Sequence, residues 1–369
     1  MSPAATLPRS LHVIGGKGLG GAERFFIRLV NALARRGHPV AAVTVADGDI
    51  ARAIDPAVRQ YHAPMFATWD LYSRHRINRY ITEFRPDIVQ TYMGRATRIV
   101  HLPADRLPVH LARLGGYYNL KGYRHAHAWV GNTHGIHTYL QAHGLPAERT
   151  FVLGNFVDTP DAISPAMLAS LRQQLGLDGC HVVLGLGRLH PNKGWSDLLR
   201  AFARLPAQHR GQPLHLLMVG DGPLRDTLSS EAGALGIAAR VHWAGWQTDP
   251  APYYQLADVF VCASVHEPLG NVILEAWANR ALVVSTRAEG PLELMTDSVN
   301  GLLAPLSDPA GLAAALDTAL ALDPTRRAEI VAAGQLEVER HYSETAIVSA
   351  YVALYNSLRD HATGKGAGL

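Results

Sequence analysis

Short apolar runs alternate along the chain with longer stretches whose apolar residues recur every three or four positions. The runs predict buried strands and the amphipathic stretches predict helices. Strand, helix and strand in close succession indicate right-handed parallel units. In the first half, strands are predicted at residues 11–15, 40–45, 88–91, 109–114 and 128–130, helices at 22–36, 72–84 and 134–143, and the segment 151–155 closes the half.

The second half repeats this pattern. Two doubly wound α/β domains of Rossmann type, facing each other across a cleft, are therefore the predicted fold. A polar run at 158–165 marks the boundary, which gives domains at 1–160 and 161–342 and a helical tail at 343–369. Here the predicted strands are 182–186, 214–219, 241–243, 259–263 and 282–285, and the helices are 195–205, 223–235, one after Pro268, those from Pro309, and a last one at 343–359.

Composition fits a globular chain with two cores. It has 369 residues, of which 48% are hydrophobic and 18% charged. No apolar stretch is long enough to predict a transmembrane helix, and the first ten residues lack the apolar region of a signal peptide. A cytoplasmic location is expected. The two cysteines, Cys180 and Cys262, lie in apolar runs and are predicted to be buried free thiols.

Charge is distributed unevenly between the two halves. Residues 1–160 contain 19 Lys and Arg against 10 Asp and Glu, a net +9, whereas residues 161–369 contain 15 against 21, a net −6. The first half is therefore expected to meet an anionic partner such as a membrane surface or a phosphorylated glycolipid. Tyr72, Arg76 and Tyr80 would share one helix face that suits an anionic membrane. Scattered surface charge and a solvated helix face are the alternatives.

The turn after the strand at 182–186 is a candidate phosphate site, because it carries Arg188 and Lys193 just ahead of a helix. Helix N-termini expose unpaired N–H groups, and an arginine fork with a lysine charge suits two adjacent phosphates. These cations can stabilise a diphosphate leaving group without a metal. A surface salt bridge on the loop is the alternative.

Two carboxylates eight residues apart, Glu267 and Glu275, follow another predicted strand. A helix that begins near Asn271 would place Glu267 in the loop before it and Glu275 one turn inside, so that both could face one crevice. The alternatives are a helix-dipole partner for Glu267 and a surface acid for Glu275. Neither residue is expected to contribute to core packing.

Six motifs follow one another in a fixed order. They are Gly20-Gly21-Ala22-Glu23, Asn155-Phe156-Val157-Asp158, Gly187-Arg188 with Lys193-Gly194, Gly220-Asp221-Gly222-Pro223, Glu267 to Glu275 with Pro-Leu-Gly-Asn inside, and Asn300-Gly301-Leu302-Leu303-Ala304-Pro305. In this order they resemble the retaining glycosyltransferases of family 4, which have the GT-B fold. The resemblance covers roughly residues 10 to 355 and implies that the last helix crosses back onto the first domain.

The resemblance also implies roles for individual residues. Glu275 would accept hydrogen bonds from the ribose of the donor, and Glu267 would contact the sugar and act in catalysis with Arg188 and Lys193. The remaining donor-binding positions would be Gly187, Gly220, Leu269, Gly270 and Asn271, and the acceptor-binding positions Gly20, Gly21, Glu23 and Tyr117.

A similar enzyme would move a hexosyl unit from a UDP- or GDP-linked sugar to a glycan or lipid-linked acceptor of bacterial surface polysaccharide or lipopolysaccharide. No metal, other cofactor or nucleic-acid partner is expected, and the enzyme would be cytoplasmic or peripheral on the inner face of the cytoplasmic membrane. A soluble small-molecule acceptor is the alternative.

The chain departs from the family at one position. Many members carry a His-Gly pair in the first domain near the donor sugar, but residues 111–118 contain no histidine. Tyr117, His125 or His127 takes its place, or the residue is dispensable.

Two further patterns favour other chemistry. Residues 16–21 match G-x-G-x-x-G, and Asp47 ends the next strand, as in nicotinamide-dependent oxidoreductases. Close packing of a helix on a strand is a structural alternative for these glycines. Asp47 and Asp49 have the Asp-x-Asp spacing of some metal sites, although Asp-Gly after a strand is ordinary turn chemistry.

Overall fold

The computed structural model describes residues 7–16, 18–104 and 106–364. The chain forms two compact units, Met1–Phe156 with Glu344–Leu369, and Val157–Ser343. The sequence-based boundaries at 160 and 342 differ from these by four residues and one residue. Within the described residues, no helix combines the length and apolar character needed to cross a membrane.

Unit 1 is a parallel sheet covered by helices on both faces. Its strands are β1 Ser10–Ile14, β2 Val40–Thr44, β3 Arg59–His62, β4 Ile88–Tyr92, β5 Val109–Leu114, β6 Ala128–Gly131 and β7 Thr150–Val152. Its helices are α1 Gly21–Arg35, α2 Asp49–Ala53, α3 Leu71–Phe84, α4 Met93–Ile99, α5 His134–Ala142 and the C-terminal α14 Glu344–Ala362. The strand order is β3-β2-β1-β4-β5-β6-β7, so the order reverses between β1 and β4.

Helix α14 belongs to this unit because it completes its core. Tyr351 and Tyr355 are fully buried among apolar side chains of α1 and the sheet. Arg113 of β5 donates to the Tyr351 hydroxyl at 3.1 Å and lies 3.9 Å from the centre of the Phe25 ring. Its other bond is to the Asn155 side chain. A buried guanidinium with these partners fixes β5, α1 and α14 to one another.

Unit 2 has the same construction. Its strands are β8 His181–Leu186, β9 Gln208–His209, β10 Gln212–Val219, β11 Val241–Gly245, β12 Val259–Cys262, β13 Val283–Thr286 and β14 Leu302–Ala304. Its helices are α6 Pro165–Gln174, α7 Trp195–Arg204, α8 Arg225–Ala234, α9 Ala251–Leu256, α10 Asn271–Ala278, α11 Glu289–Leu294, α12 Pro309–Ala321 and α13 Pro324–Glu337, and Val338–Tyr342 forms a π-helical turn. The parallel order is β11-β10-β8-β12-β13-β14, and the short β9 pairs antiparallel with β10.

Alternation along the strands builds a core on each face of this sheet. In β8, Val183 packs into one cluster, whereas Val182 and Leu184 pack into the cluster on the opposite face. Strands covered on both faces read as continuous apolar runs, which is why β8 is visible in the sequence. The predicted class, α/β with two doubly wound sheets, is confirmed.

Several elements were not predicted, namely β3, β9, β14, α2, α4, α6, α9 and α11. Helices of five to seven residues, such as α2 and α9, complete fewer than two turns and show little periodicity. Strand β3 is polar because it lies at the edge of its sheet. The prediction for Cys180 was wrong, since this thiol is partly exposed in the turn before β8, while Cys262 is buried; both are free.

Candidate active site

The predicted donor-site residues lie where the strand order of unit 2 reverses. Strand β8 has β10 on one side and β12 on the other, so the chain leaves β8 and β12 toward different faces of the sheet. Ligands of open α/β sheets bind in the crevice at the carboxyl ends of such neighbouring strands. Gly187 and Arg188 follow β8, and Glu267 follows β12. The tertiary fold thus brings together segments that are more than seventy residues apart.

Two glycines allow these loops to approach each other closely. A side chain at Gly220 would place its Cβ 2.0 Å from the carbonyl oxygen of Gly187, and one at Gly194 would lie 1.9 Å from that of Ala263. Real Cβ contacts are never so short, and both glycines also have positive φ. The loops after β8, β10 and β12 are therefore held backbone against backbone.

Lys193 and Glu267 form an ion pair at the centre of this region. The Lys193 Nζ lies 2.5 Å from Glu267 Oε2, and Ser264 Oγ donates to the same oxygen at 3.1 Å. The side chains are 27% and 11% exposed. Burial is the largest single influence and lowers the pKa of Lys193, but the charge and hydrogen bond of Glu267, with Cys262 and Glu275, together raise the pKa above its usual value. The lysine therefore stays charged.

Glu275 lies on α10, which begins at Asn271 as predicted. Its Oε2 accepts a hydrogen bond from the buried Tyr254 hydroxyl at 3.3 Å. Burial and then the Glu275 charge hold the pKa of Tyr254 well above its usual value, so this hydroxyl is a donor. Glu275 also contributes to the raised pKa of Lys193, so the two carboxylates and the lysine share one electrostatic site.

Arg188 differs from Lys193, because its side chain has no partner among the residues that the structure describes. Its side chain is exposed, and its guanidinium donates to no residue that the structure describes. Its backbone is fixed, because Trp195 Nε1 donates to the Arg188 carbonyl at 3.0 Å. The two cations therefore differ: Lys193 forms a salt bridge with a nearly buried acid, whereas the Arg188 side chain is exposed.

The backbone around Glu267 is held by helix α11, which the sequence analysis missed. Gly290 N donates to the Glu267 carbonyl at 2.7 Å, and Glu289 accepts from Glu267 N at 3.4 Å. Glu289 also bonds His266 Nδ1 at 3.1 Å. Glu267 is 9% exposed, and these contacts fix the backbone on which its side chain is carried.

The segment 269–271 leads directly into α10. Leu269 is buried, and Gly270 is the N-cap of the helix with φ +95°. The Gly270 carbonyl accepts the first helical bonds, from Ile273 N at 2.9 Å and Leu274 N at 3.3 Å. The backbone N–H groups at the start of this helix therefore lie between Glu267 and Glu275 in sequence, at a helix end that attracts anions.

In unit 1 the glycine loop begins α1, with Gly20 as its N-cap and Gly21 as its first residue. The Glu23 carboxylate folds back over this loop: a Cβ at Gly16 or Gly20 would lie 2.6 or 2.7 Å from its oxygens. Lys17, inside the G-x-G-x-x-G pattern, lies outside the described residues. Tyr117, after β5, is 40% exposed and packs edge-to-face on Tyr139 at 5.4 Å.

The histidines considered as replacements for the missing His-Gly pair have backbone partners instead. His125 Nε2 lies 2.9 Å from the carbonyl oxygens of Thr97 and Val100, and His127 Nδ1 accepts from His110 N at 3.1 Å. These contacts give both rings structural roles.

The Asp-x-Asp pair forms a turn. Asp47 has φ +57°, and Arg52 bonds both the Asp47 carbonyl at 2.7 Å and the Asp49 carboxylate at 3.2 Å. Across the described residues, no three His, Cys, Asp or Glu side chains are grouped so as to hold a metal ion.

Two of the six motifs prove to be structural. Asn155 bonds the buried Arg113 within unit 1. Asn300 closes a turn by accepting from Thr296 N at 2.9 Å and donating to the Leu294 carbonyl at 3.2 Å. A cavity of about 450 Å³ in unit 2 lies elsewhere, lined by 159–163 and the end of α10, and contains none of the predicted site residues.

Glycosyltransferase family models match both halves of the chain. Residues 180–321 match the family model described as Glycosyl transferases group 1, and residues 19–160 match that described as Glycosyltransferase Family 4. Two curated relatives from Rhizobium meliloti (strain 1021) are named lipopolysaccharide core biosynthesis glycosyltransferases. LpsE is 35% identical over 92% of this chain and 96% of its own, and LpsD is 33% identical over 91% and 95%.

Among solved structures, HepE of Anabaena in complex with UDP and glucose superposes with a TM-score of 0.81. The match covers 95% of this chain and all of HepE at 22% sequence identity. At that identity the likeness shows the fold alone.

Proposed function

The chain belongs to the family 4 glycosyltransferases, and on this premise we propose that it transfers a hexosyl unit in the synthesis of bacterial lipopolysaccharide or a related surface polysaccharide. The chain is an enzyme of the transferase class, which replaces the oxidoreductase interpretation of residues 16–21. Two relatives that match nearly end to end and are named for lipopolysaccharide core synthesis support the proposed process. The proposed donor is a UDP- or GDP-linked sugar.

The convergence of Lys193, Glu267 and Glu275, with the exposed Arg188 in the same loop as Lys193, is the observation that carries this proposal. Departure of a nucleoside diphosphate builds up negative charge that must be stabilised. Lys193 has three N–H donors, so it can keep its bond to Glu267 while it binds a phosphate oxygen. Arg188 can present its full guanidinium fork. Two cations are thus available at the phosphates, and we propose that no metal is needed.

The two carboxylate oxygens of Glu267 have different surroundings, and we propose that one bonds the protein and the other the substrate. Oε2 accepts from both Lys193 and Ser264, whereas Oε1 accepts from no residue that the structure describes. We assign Oε1 to a donor-sugar hydroxyl. In that position the carboxylate stabilises the positive charge that grows at the anomeric carbon, which makes Glu267 the proposed catalytic carboxylate.

Glu275 is assigned to the ribose. A carboxylate is an acceptor that can take two hydroxyl donors. Its bond from Tyr254 restrains the side chain on the first turns of α10, where it is oriented before the ligand arrives. Gly187, Gly220 and the N–H groups of 269–271 complete the proposed donor site.

The proposed acceptor is a glycan on a lipid carrier, bound by unit 1 through Gly20, Gly21, Glu23 and Tyr117 and reached at an anionic membrane surface. The +9 charge of the first half supports such a surface. Transfer with retention of configuration is proposed from the family, with the acceptor attacking on the face from which the diphosphate leaves. The protein then acts mainly by positioning and by charge stabilisation.

The test is a panel of UDP- and GDP-linked hexoses in saturation-transfer NMR, followed by transfer assays with the sugars that bind. We expect one donor to bind, Arg188→Ala with Lys193→Ala to abolish its signal, and EDTA to leave transfer unchanged. Binding of none of these donors, or a donor signal unchanged in the double variant, overturns the proposed site. A strict requirement for a divalent metal overturns the metal-independent mechanism.

A further inference from the structure

We propose that Phe66, Trp69, Leu71 and Tyr72, here called the aromatic segment, insert into the headgroup region of an anionic lipid bilayer and hold the glycine loop of unit 1 at the membrane surface. This inference deepens the proposed function, on which it rests for the lipid-linked acceptor. It assigns the membrane contact to a defined segment between β3 and the first turn of α3, instead of to the net charge of the whole half.

The side chains of the aromatic segment are exposed to solvent. The four side chains are 77%, 80%, 73% and 60% exposed, although they are large and mostly apolar and lie within seven residues of one another. Single exposed apolar residues are common and need no explanation, whereas a contiguous group marks an interaction site.

The aromatic segment is also held in place. The Asp70 carboxylate accepts from Phe66 N at 3.0 Å, from Ser73 N at 2.9 Å and from Ser73 Oγ at 2.7 Å. Ser73 Oγ in turn accepts from Met65 N at 2.8 Å. The acid within the segment is therefore used as the cap of α3, and the fold presents the apolar side chains outward on a fixed backbone.

Cations lie just behind the apolar tip. Arg76 donates to the Tyr72 hydroxyl at 3.2 Å and to the Tyr80 hydroxyl at 2.9 Å. It lies five residues after Leu71, roughly 7 Å along the helix axis. The exposed Arg79 is one turn further and has no ion pair with a described residue, whereas Glu83, the acid of α3, is paired with Arg59. Apolar side chains backed by cations match the acyl boundary and the anionic headgroups.

The aromatic segment and the glycine loop lie at the same edge of the sheet. The aromatic segment follows the carboxyl end of β3, and all strands of this sheet are parallel, so the glycine loop after β1 lies at the same edge. Arg95 connects the two, donating to the Met65 carbonyl at 3.2 Å and to the Gly15 carbonyl at 3.1 Å. Exposed Leu19 and Tyr117 follow β1 and β5 at this edge.

Lipid fits this surface better than a protein partner. Tryptophan and tyrosine are the residues enriched at membrane interfaces, and helix α3 carries Arg74, Arg76 and Arg79 against the single acid Glu83. A stable protein interface engages about 20 to 30 residues on each side, whereas the apolar group here is one short segment.

The test uses the full chain and flotation with vesicles of phosphatidylcholine, with and without about one-third phosphatidylglycerol. We expect binding to the anionic vesicles, weakening as salt screens the cations. Phe66→Ser with Trp69→Ser should lower the partition coefficient at least tenfold, whereas Trp246→Ser, at a residue 58% exposed in unit 2, should not change it. A Tm unchanged from that of the wild type in each variant shows that it is folded.

Three outcomes overturn the inference: no binding to anionic vesicles, equal loss of binding in the Trp246→Ser control, or loss of a dimer by light scattering in the segment variant, which would make a second copy the occupant. These outcomes are separate from failure of the proposed function. Vesicle binding needs no donor or acceptor, so a chain that binds vesicles through the aromatic segment but binds no nucleotide-sugar would refute the transferase site alone.

Discussion

The two sheets reverse their strand order in the same way, yet their carboxyl edges carry opposite chemistry. At the β8/β12 edge of unit 2, ionised side chains are partly or largely buried and bonded to one another, as in the pair of Lys193 with Glu267. At the same edge of unit 1, large apolar side chains stand in solvent and the glycine loop carries Glu23 folded over its backbone. One topology thus supports two kinds of recognition, because the strand ends fix where a site lies but the loops decide what it binds.

Substitutions at the two edges should also have different effects. A residue in the unit 2 network has partners that are left unsatisfied when it is altered, so substitution there affects both chemistry and stability. A residue in the aromatic segment has few partners, so substitution there should affect only localisation. The following predictions test this contrast.

Glu267→Gln should have the largest effect. It removes the charge proposed to stabilise the anomeric centre, and kcat should fall on the order of a hundredfold or more. Because Lys193 loses its ionised partner, we also expect a modest fall in Tm. Steady-state kinetics per folded molecule and a thermal melt measure both, with Glu329→Gln on the exposed face of α13 as the control. A large fall in Tm with kcat preserved would make Glu267 a structural residue.

Arg188→Ala should weaken binding of UDP or GDP by about tenfold to a hundredfold, as expected for a lost charge-assisted contact to phosphate. The Arg188 side chain has no partner among the described residues, so this variant should melt like the wild type. Lys193→Ala should weaken binding similarly but also lower Tm, because it leaves Glu267 unpaired. Calorimetric titration measures both affinities. The matched control is Arg204, an exposed residue at the end of α7, the helix that follows the loop of Lys193. Equal affinities in all variants would contradict the phosphate assignment.

Glu275→Gln should raise KM for the donor by about tenfold while kcat changes less, because ribose binding is similar in the ground and transition states. Tyr254→Phe removes the hydroxyl that bonds Glu275 and should shift KM in the same direction by a smaller factor. Initial rates over a range of donor concentrations separate the two constants. A loss confined to kcat in Glu275→Gln would move this carboxylate from the ribose to the reacting centre.

The pH dependence should be the smallest effect. The pKa of Lys193 is raised in the folded chain, so its charge contributes stability that is fully present below its unfolded pKa of about 10.5 and is lost only as pH rises through the higher folded value. Affinity for UDP should therefore change less than about twofold between pH 7.5 and 9.5, since one pKa unit corresponds to a tenfold change in protonation. A steep fall within this range, measured by the same titration, would show that the lysine loses its proton early.

Local sequence was sufficient wherever neighbours along the chain carry the information. Continuous apolar runs marked the central strands, and α10 begins at Asn271, where a helix start was predicted. The order of motifs identified the family, and the pattern of strands and helices determined the α/β class. Periodicity and turn chemistry are local properties, so strands, helices and turns can be predicted from the sequence alone.

Only the tertiary structure decided which side chains meet. The bond between Lys193 and Glu267 spans 74 positions, and its formation depends on β8 and β12 becoming neighbours. The motif asparagine Asn155 bonds an arginine that no local pattern pairs with it, and the exposure of Phe66 and Trp69 depends on Asp70 turning their segment away from the core. Strand order and burial arise from packing of the whole sheet, and a one-dimensional pattern does not contain them.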